Sequence, residues 1–373
     1  SQILEALTSN PKVWGKTALF IVYDENDGFF DHIVPPTPPQ SAAQGLANVS
    51  IANEIYPGTL EYPSGPYGLG ARVPMLVVSP WSKGGWVNSE IFDHTSLIRF
   101  VAKRFGTKNA PLNDPNITAW RSAVCGDLTS AFNFATPNSA AVALPGTTAY
   151  VPADNQRHDS YYPLPPLLQA LPAQELGTRP ARAVPYVLNV SATANTASAQ
   201  LTLEFSNAGA RTGVFHARSG NLLQPPRGYT VAGNTRLSDV WDYALLGTVP
   251  YSLSVYGPNG FFREYQGGLI AETSANVQAT LEYQIARGGI TLSALNAGKT
   301  ACNLQILDVY SAQTSSANLA PGGRYQSFFG LGKYHGWYDL VLTVAEDQAF
   351  RQQLAGHLES GADSVSDPAL GTG

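Results

Sequence analysis

The second half of this 373-residue chain repeats itself, and that limits the folds open to it. Leu201-Thr202-Leu203-Glu204-Phe205-Ser206-Asn207-Ala208-Gly209 lines up with Ile290-Thr291-Leu292-Ser293-Ala294-Leu295-Asn296-Ala297-Gly298. Farther on, Tyr251-Ser252-Leu253 lines up with Tyr338-Asp339-Leu340, and Phe262-Arg263 with Phe350-Arg351. Both copies alternate apolar and polar residues in short runs broken by Gly and Asn, the pattern of strands with one face buried. Each copy is expected to form a small β-sandwich, over residues 183–272 and 273–362, with a flexible tail at 363–373. Asn-Ala-Gly suits a tight turn, because Asn and Gly tolerate positive φ, and carries no chemistry of its own.

The first 135 residues follow a different rule. An unbroken apolar run over residues 17–23 and a second over residues 73–79 have strand length, and continuity of this kind predicts strands buried on both faces. After the second run, Asp93 or Thr95 offers an N-cap for a helix through Phe105 that stops at Gly106. Strand, loop, helix in that order points to an α/β domain over residues 1–135. Residues 136–182 are rich in Pro, including Tyr161-Tyr162-Pro163-Leu164-Pro165-Pro166, and read as an extended tether whose Leu and aromatic residues pack along a surface.

Composition narrows the function. Charged residues are 13% of the chain, against 35 Gly and 27 Pro, which suits strands and turns rather than long charged helices. A net charge of −5 supplies neither a basic stripe for nucleic acid nor a polybasic patch for anionic lipid. No apolar run is long enough for a transmembrane helix. Cys125 and Cys302 lie far apart, without metal-knuckle spacing; two buried free thiols are expected over a single bridge. The opening Ser1-Gln2-Ile3-Leu4 has neither an initiator Met nor a signal peptide, so more chain is expected upstream.

Chemistry concentrates in Tyr23-Asp24-Glu25-Asn26-Asp27-Gly28-Phe29-Phe30-Asp31-His32, at the end of the first apolar run. In open α/β sheets the carboxyl ends of strands face the ligand crevice, which puts Asp24 and Glu25 in position to act. Adjacent carboxylates repel unless a cation or donor lies between them, and a hard divalent ion takes oxygen ligands of this kind. An acidic loop with an Asp27-Gly28 turn fits the same residues. The spacing lacks the regular ligand alternation and closing Glu of a helix-loop-helix calcium site.

This segment, extended through Ile33-Val34-Pro35-Pro36, resembles the signature of the bacterial phosphoesterase family that contains phospholipase C and a related acid phosphatase. Arg72-Val73-Pro74-Met75-Leu76-Val77-Val78-Ser79-Pro80-Trp81-Ser82 and Phe92-Asp93-His94-Thr95-Ser96-Leu97-Ile98-Arg99-Phe100 agree with it. So do Asn116-Ile117-Thr118-Ala119-Trp120-Arg121 and Cys125-Gly126-Asp127-Leu128-Thr129, and the tandem repeat resembles the two C-terminal domains of the family's phospholipases. The resemblance implies the C-terminal part of an alkaline-phosphatase-like domain, in which a Ser or Thr attacks phosphorus beside bound metal. It implies a divalent metal ion of unknown identity held by Asp24 and Glu25, with Asp31 and His32 at the catalytic site. His32 would contact phosphate or a metal ligand, or buttress the loop; His94 either reaches a ligand at the helix N-terminus or serves the cap.

The nucleophile and the remaining ligands are not identifiable here, so this chain alone is expected to be inactive. The function implied is hydrolysis of phosphatidylcholine-type lipids at a membrane surface, by a secreted or periplasmic bacterial enzyme whose N-terminal portion is the missing partner. An acid phosphatase or phosphodiesterase differs from this in substrate rather than in site. A third reading makes the repeats a membrane- or partner-binding module, motivated by Tyr256, Phe261, Phe262, Trp337 and Tyr338, although alternating aromatics are more often sandwich core.

Overall fold

A computed structural model describes residues 2–26, 28, 31, 33–140, 143–144, 146, 154, 156, 167–170, 175–246, 250–270 and 272–371. Asp27, Phe29, Phe30 and His32 of the acidic motif, and residues 161–166 of the expected tether, lie outside the described residues. The chain is a mixed α/β protein with a strand-rich C-terminal region.

The first part holds helix α1 (Gln2–Thr8) and strands β1 (Leu19–Val22), β2 (Gly45–Ala47) and β3 (Met75–Val78), followed by helices α2 (His94–Phe105) and α3 (Ala119–Val124). β1 and β3 form a two-stranded antiparallel pair, Leu19 opposite Val78 and Val22 opposite Met75. The expectation that both runs are buried on both faces does not hold. Ile21 and Tyr23 are exposed and Leu76 is 58% exposed, because among the described residues each strand pairs only with the other and the face these three share is left uncovered.

Of the two N-caps expected for helix α2, the structure uses Asp93, so the helix starts at His94, for a local reason. Asp93 is the N-cap: the Ser96 N–H donates to Asp93 Oδ1 at 3.2 Å while the Asp93 N–H donates to Ser96 Oγ at 3.1 Å, a reciprocal box that satisfies two otherwise orphaned donors. Gly106 ends the helix, its N–H donating to the Ala102 carbonyl at 2.7 Å.

The C-terminal region is built from β4 (Leu188–Asn195), β5 (Gln200–Asn207), β6 (Gly213–Ser219), β7 (Arg227–Val231), β8 (Thr235–Asp242), β9 (Tyr251–Tyr256) and β10 (Phe262–Gly267). There follow β11 (Val277–Gln284), β12 (Gly289–Asn296), β13 (Cys302–Asp308), β14 (Gln313–Leu319), β15 (Arg324–Gly330), β16 (Trp337–Val344) and β17 (Asp347–His357). One layer is a continuous nine-stranded sheet in the order β14-β13-β16-β17-β10-β9-β6-β7-β2. The other consists of two three-stranded sheets, β8-β5-β4 and β11-β12-β15. Alternating side chains from both layers fill one core between residues 184 and 358, including Phe205, Phe215, Trp241, Leu292 and Phe350.

The two halves join where β10 pairs with β17, Phe262 opposite Ala355 and Gln266 opposite Arg351. Cross-strand pairs fix how they correspond: Tyr251 lies opposite Gly267 and Tyr338 opposite Gly356, and a Cβ on either glycine would meet the tyrosine hydroxyl, at 2.6 and 3.1 Å. Gly267 thus answers to Gly356, which aligns buried Phe261 with Phe350 and buried Arg263 with Gln352. Phe262-Arg263 and Phe350-Arg351, alike in sequence, are one residue out of register: Arg263 points into the core, whereas Arg351 pairs with Glu264 on the other face. Arg263 spans the seam. Its guanidinium donates to the Phe262 and Ala355 carbonyls, both at 2.8 Å, to Tyr338 Oη at 3.0 Å and to Asn189 Oδ1 at 3.3 Å.

The first part is stitched to this sheet through β2, which runs parallel to the edge of β7 with Gly45 opposite Gly228. Gly45 has φ +124° and a Cβ there would lie 1.8 Å from the Gly228 carbonyl oxygen, so no other residue fits. Asn48 accepts from the Ala232 N–H at 2.7 Å and donates to Thr235 at 2.8 Å, and Trp120 Nε1 donates to Thr230 at 3.1 Å. Residues 363–371 contact the rest of the chain: Ser364–Val365 pairs with Pro180–Ala181, Asp363 bonds Arg182, and Trp337 Nε1 donates to the Val365 carbonyl. Cys125 and Cys302 are both free and buried. Among the described residues no helix is long and apolar enough to cross a membrane.

Candidate functional site

β1 delivers Asp24 and Glu25 to its open carboxyl end, where both side chains are exposed. The Glu25 N–H donates to Asp24 Oδ1 at 3.1 Å, so the loop turns immediately after the strand. Helix α2 approaches the same point: His94 Nε2 lies 3.1 Å from the Tyr23 carbonyl oxygen, which can only accept, so that nitrogen carries the proton. His94 is the first helical residue; Asp93, not His94, makes the cap. Strand end and helix start are thereby joined one residue from Asp24.

Asp31 is fully engaged. Its carboxylate accepts from the Arg72 N–H at 2.9 Å, from Arg72 Nε at 3.0 and 3.3 Å, from Arg72 Nη2 at 3.0 Å and from the Ile33 N–H at 3.1 Å. The two-pronged Arg72 guanidinium, together with the backbone donors, holds this carboxyl well below the usual carboxylate range. The saturated carboxylate fixes the loop leaving β1 against the residues entering β3. Arg72 belongs to one of the family-like stretches, but nothing in its spacing from Asp31 announced the clamp.

Behind the surface, a buried ionic network steadies α2. Arg121 of α3 donates to Asp93 Oδ2 at 2.9 Å, to Glu54 Oε1 at 3.0 Å and to the Gly68 carbonyl at 2.7 Å, while Thr118 donates to Glu54. The cap that starts α2 is therefore itself held by a charge from α3. Sequence reasoning missed this network, since Glu54, Asp93 and Arg121 come from three separate stretches with no local signal. Burial pushes the Cys125 thiol far up, which removes it as a nucleophile.

For a hard divalent cation, Asp24 and Glu25 fit in kind: they are exposed oxygen donors at a strand terminus, and among the described residues neither pairs with a cation as Asp31 does with Arg72. They fall short in number. Among the described residues no group of three or more His, Cys, Asp or Glu side chains comes together as a metal cluster. The aromatics that suggested a binding module are mostly core: Phe261, Trp337 and Tyr338 are buried, and Phe262 packs against exposed Tyr256 at 5.2 Å.

Residues 1–108 match the phosphoesterase family, and residues 180–268 and 277–357 each match the C-terminal domain of bacterial phospholipase C. Across its whole length the chain is 48% identical to a non-hemolytic phospholipase C of Burkholderia pseudomallei, of which it covers 53%. It is 41% identical to a non-hemolytic phospholipase C of Pseudomonas aeruginosa, covering 55% of it. A hemolytic phospholipase C of the same organism is 38% identical over 99% of the chain and 54% of the relative. The chain spans about half the length of these relatives.

Proposed function

The chain belongs to the bacterial phospholipase C family of phosphoesterases, and from that premise we propose that it is the C-terminal part of an enzyme hydrolysing phosphatidylcholine-type phospholipids to diacylglycerol and a phosphorylated head group. The observation that carries this reading is the exposed Asp24-Glu25 pair at the open end of β1, with its loop locked by Asp31 and Arg72. In this reading residues 1–135 complete an alkaline-phosphatase-like domain, and the C-terminal strands form two sandwich repeats, 183–272 and 273–362, sharing one sheet. The enzyme is secreted or periplasmic.

Asp24 and Glu25 would hold a divalent metal ion, which when bound offsets charge developing on the phosphoryl oxygens. This chain's residues do the rest of their work by position. Asp31 and Arg72 set the height of the acidic loop, His94 holds the Tyr23 carbonyl, and the Arg121 network keeps α2 from shifting. His32 contributes from the same motif, toward phosphate. The attacking nucleophile comes from a segment outside this chain, which alone turns over nothing. The uncovered face of Ile21, Tyr23 and Leu76 is where that segment packs.

In the full-length enzyme, Asp24→Ala should lower bound metal and phosphatidylcholine hydrolysis together. Full activity in that variant would remove the assignment. Comparing a phosphatidylcholine diester with a soluble phosphomonoester on the same enzyme separates the phospholipase from an acid phosphatase, for which the monoester would be the better substrate.

A further inference from the structure

Three leucines on the C-terminal region are exposed almost as fully as side chains can be: Leu222 at 98%, Leu223 at 79% and Leu245 at 99%. They occupy two loops at one end of the β4–β10 sandwich. Residues 220–226 join β6 to β7, and the single turn Ala244–Leu246 follows β8. The loops are laced to each other, because Gln224 Nε2 donates to the Asp242 carbonyl at 2.8 Å.

Each loop is also tied to itself. Ser219 Oγ donates to Gln224 Oε1 at 2.8 Å, the Leu223 N–H to Asn221 Oδ1 at 3.0 Å, and the Ala244 N–H to Asp242 Oδ1 at 2.8 Å. Tyr243 is buried and Leu246 packs on the core, so Leu245 is held outward by anchors on both sides. Scattered exposed leucines need no explanation. Three at the tips of two bonded loops form a preorganised apolar prominence.

We propose that this prominence is a membrane-docking surface that inserts Leu222, Leu223 and Leu245 into the interface of a zwitterionic phospholipid bilayer. Charge selects that occupant. Residues 220–226 and 243–246 contain no charged side chain, and neither does the neighbouring turn at 195–200, whose Ala199 carbonyl accepts from the Tyr243 N–H. With a net charge of −5 and no lysine or arginine at the tips, an anionic surface gains nothing, whereas apolar insertion requires no charge.

The corresponding end of the other half does not share the feature. Its turn at Gly332–Tyr334 carries Lys333, and Tyr310 in its other loop is bonded to Asp367 of the C-terminal segment. Docking is therefore one-ended and orients the chain. The preference for lipid over a protein partner rests on the phospholipase reading above; the surface itself does not.

The test is sedimentation of the full 373-residue chain with phosphatidylcholine vesicles, with and without added anionic lipid. The wild type should bind neutral vesicles, with no gain from anionic lipid. Leu222→Ser, Leu223→Ser and Leu245→Ser should each weaken partitioning about 10-fold, without loss of thermal stability. A Leu245→Trp variant should show a blue-shifted emission that brominated lipid quenches. No vesicle binding by the wild type, equal binding by a serine variant, or an unshifted emission from the Leu245→Trp variant overturns the proposal. Asp24→Ala must leave vesicle binding intact, so loss of the catalytic assignment and loss of the docking surface read out separately.

Discussion

Residues 1–108 and residues 184–358 are built on opposite terms. The second region closes a core around dozens of buried side chains, whereas in the first, among the described residues, Trp14 is the one large hydrophobic side chain that is buried. Yet the first region has the stronger local signals of burial, two unbroken apolar runs. The difference teaches that an apolar run states what a strand needs covered, and not what covers it. In the C-terminal region each strand finds its cover within the same chain. In β1 and β3 the cover is left wanting, and the region keeps its place by attaching to the sheet of its neighbour.

That contrast is broken most severely at Arg263. Its guanidinium bonds two backbone carbonyls, Tyr338 and Asn189 at the seam between β10 and β17, all neutral partners. Arg263→Ala leaves these oxygens buried without donors, and unfolding in denaturant should show a loss of about 3–5 kcal/mol. A variant that unfolds at the wild-type midpoint would mean the seam is held by side-chain packing alone.

The next largest effect lies on the boundary between the regions. His216 of β6 is half-buried beside Arg218, and its Nε2 is enclosed with no hydrogen-bond partner among the described residues; burial, then the Arg218 charge, lowers its pKa to about 4. A folded-state pKa below the unfolded value of about 6.5 means the folded form resists protonation. Stability is therefore full above pH 6.5 and declines as pH falls from there toward 4, by on the order of 3 kcal/mol. His216→Asn should flatten that decline in a series of denaturation curves across this range. A slope that survives the substitution would assign it elsewhere.

Much of the C-terminal region could be read from sequence, because alternation and turn residues are local. Helix α2 was legible for the same reason: Asp93, Ser96 and Gly106 specify its ends within a short stretch of chain. What could not be read is pairing between distant edges. Nothing near Gly45 says that it will meet Gly228, and nothing near Phe262 says that β10 will join β17 in one sheet. At the site, the Asp24-Glu25 pair was legible as a cluster, but the clamp of Asp31 by Arg72 was not, since it closes only when β1 and β3 are already paired.

Gly45 gives a smaller effect with a local signature. Any side chain there meets the Gly228 backbone, so Gly45→Ala should detach β2 from β7. The expected cost is about 2 kcal/mol, seen in hydrogen exchange as lost protection at residues 45–48 while β12 and β16 remain protected. Uniform loss across the sheet would show instead that the two regions fold as one unit.

The smallest effect decides the comparison. Leu76 is central in β3 and 58% exposed, on the uncovered face. In this chain Leu76→Ser removes little buried area, and stability should move by no more than about 0.5 kcal/mol. In the full-length enzyme the same side chain is proposed to lie under the rest of the catalytic domain, where the substitution should cost about 2–4 kcal/mol through lost burial. Equal, small effects in both would mean that the face stays open and that the second region's neighbour is complete as it stands. A large effect only in the longer protein would identify the apolar run with the contact it anticipates.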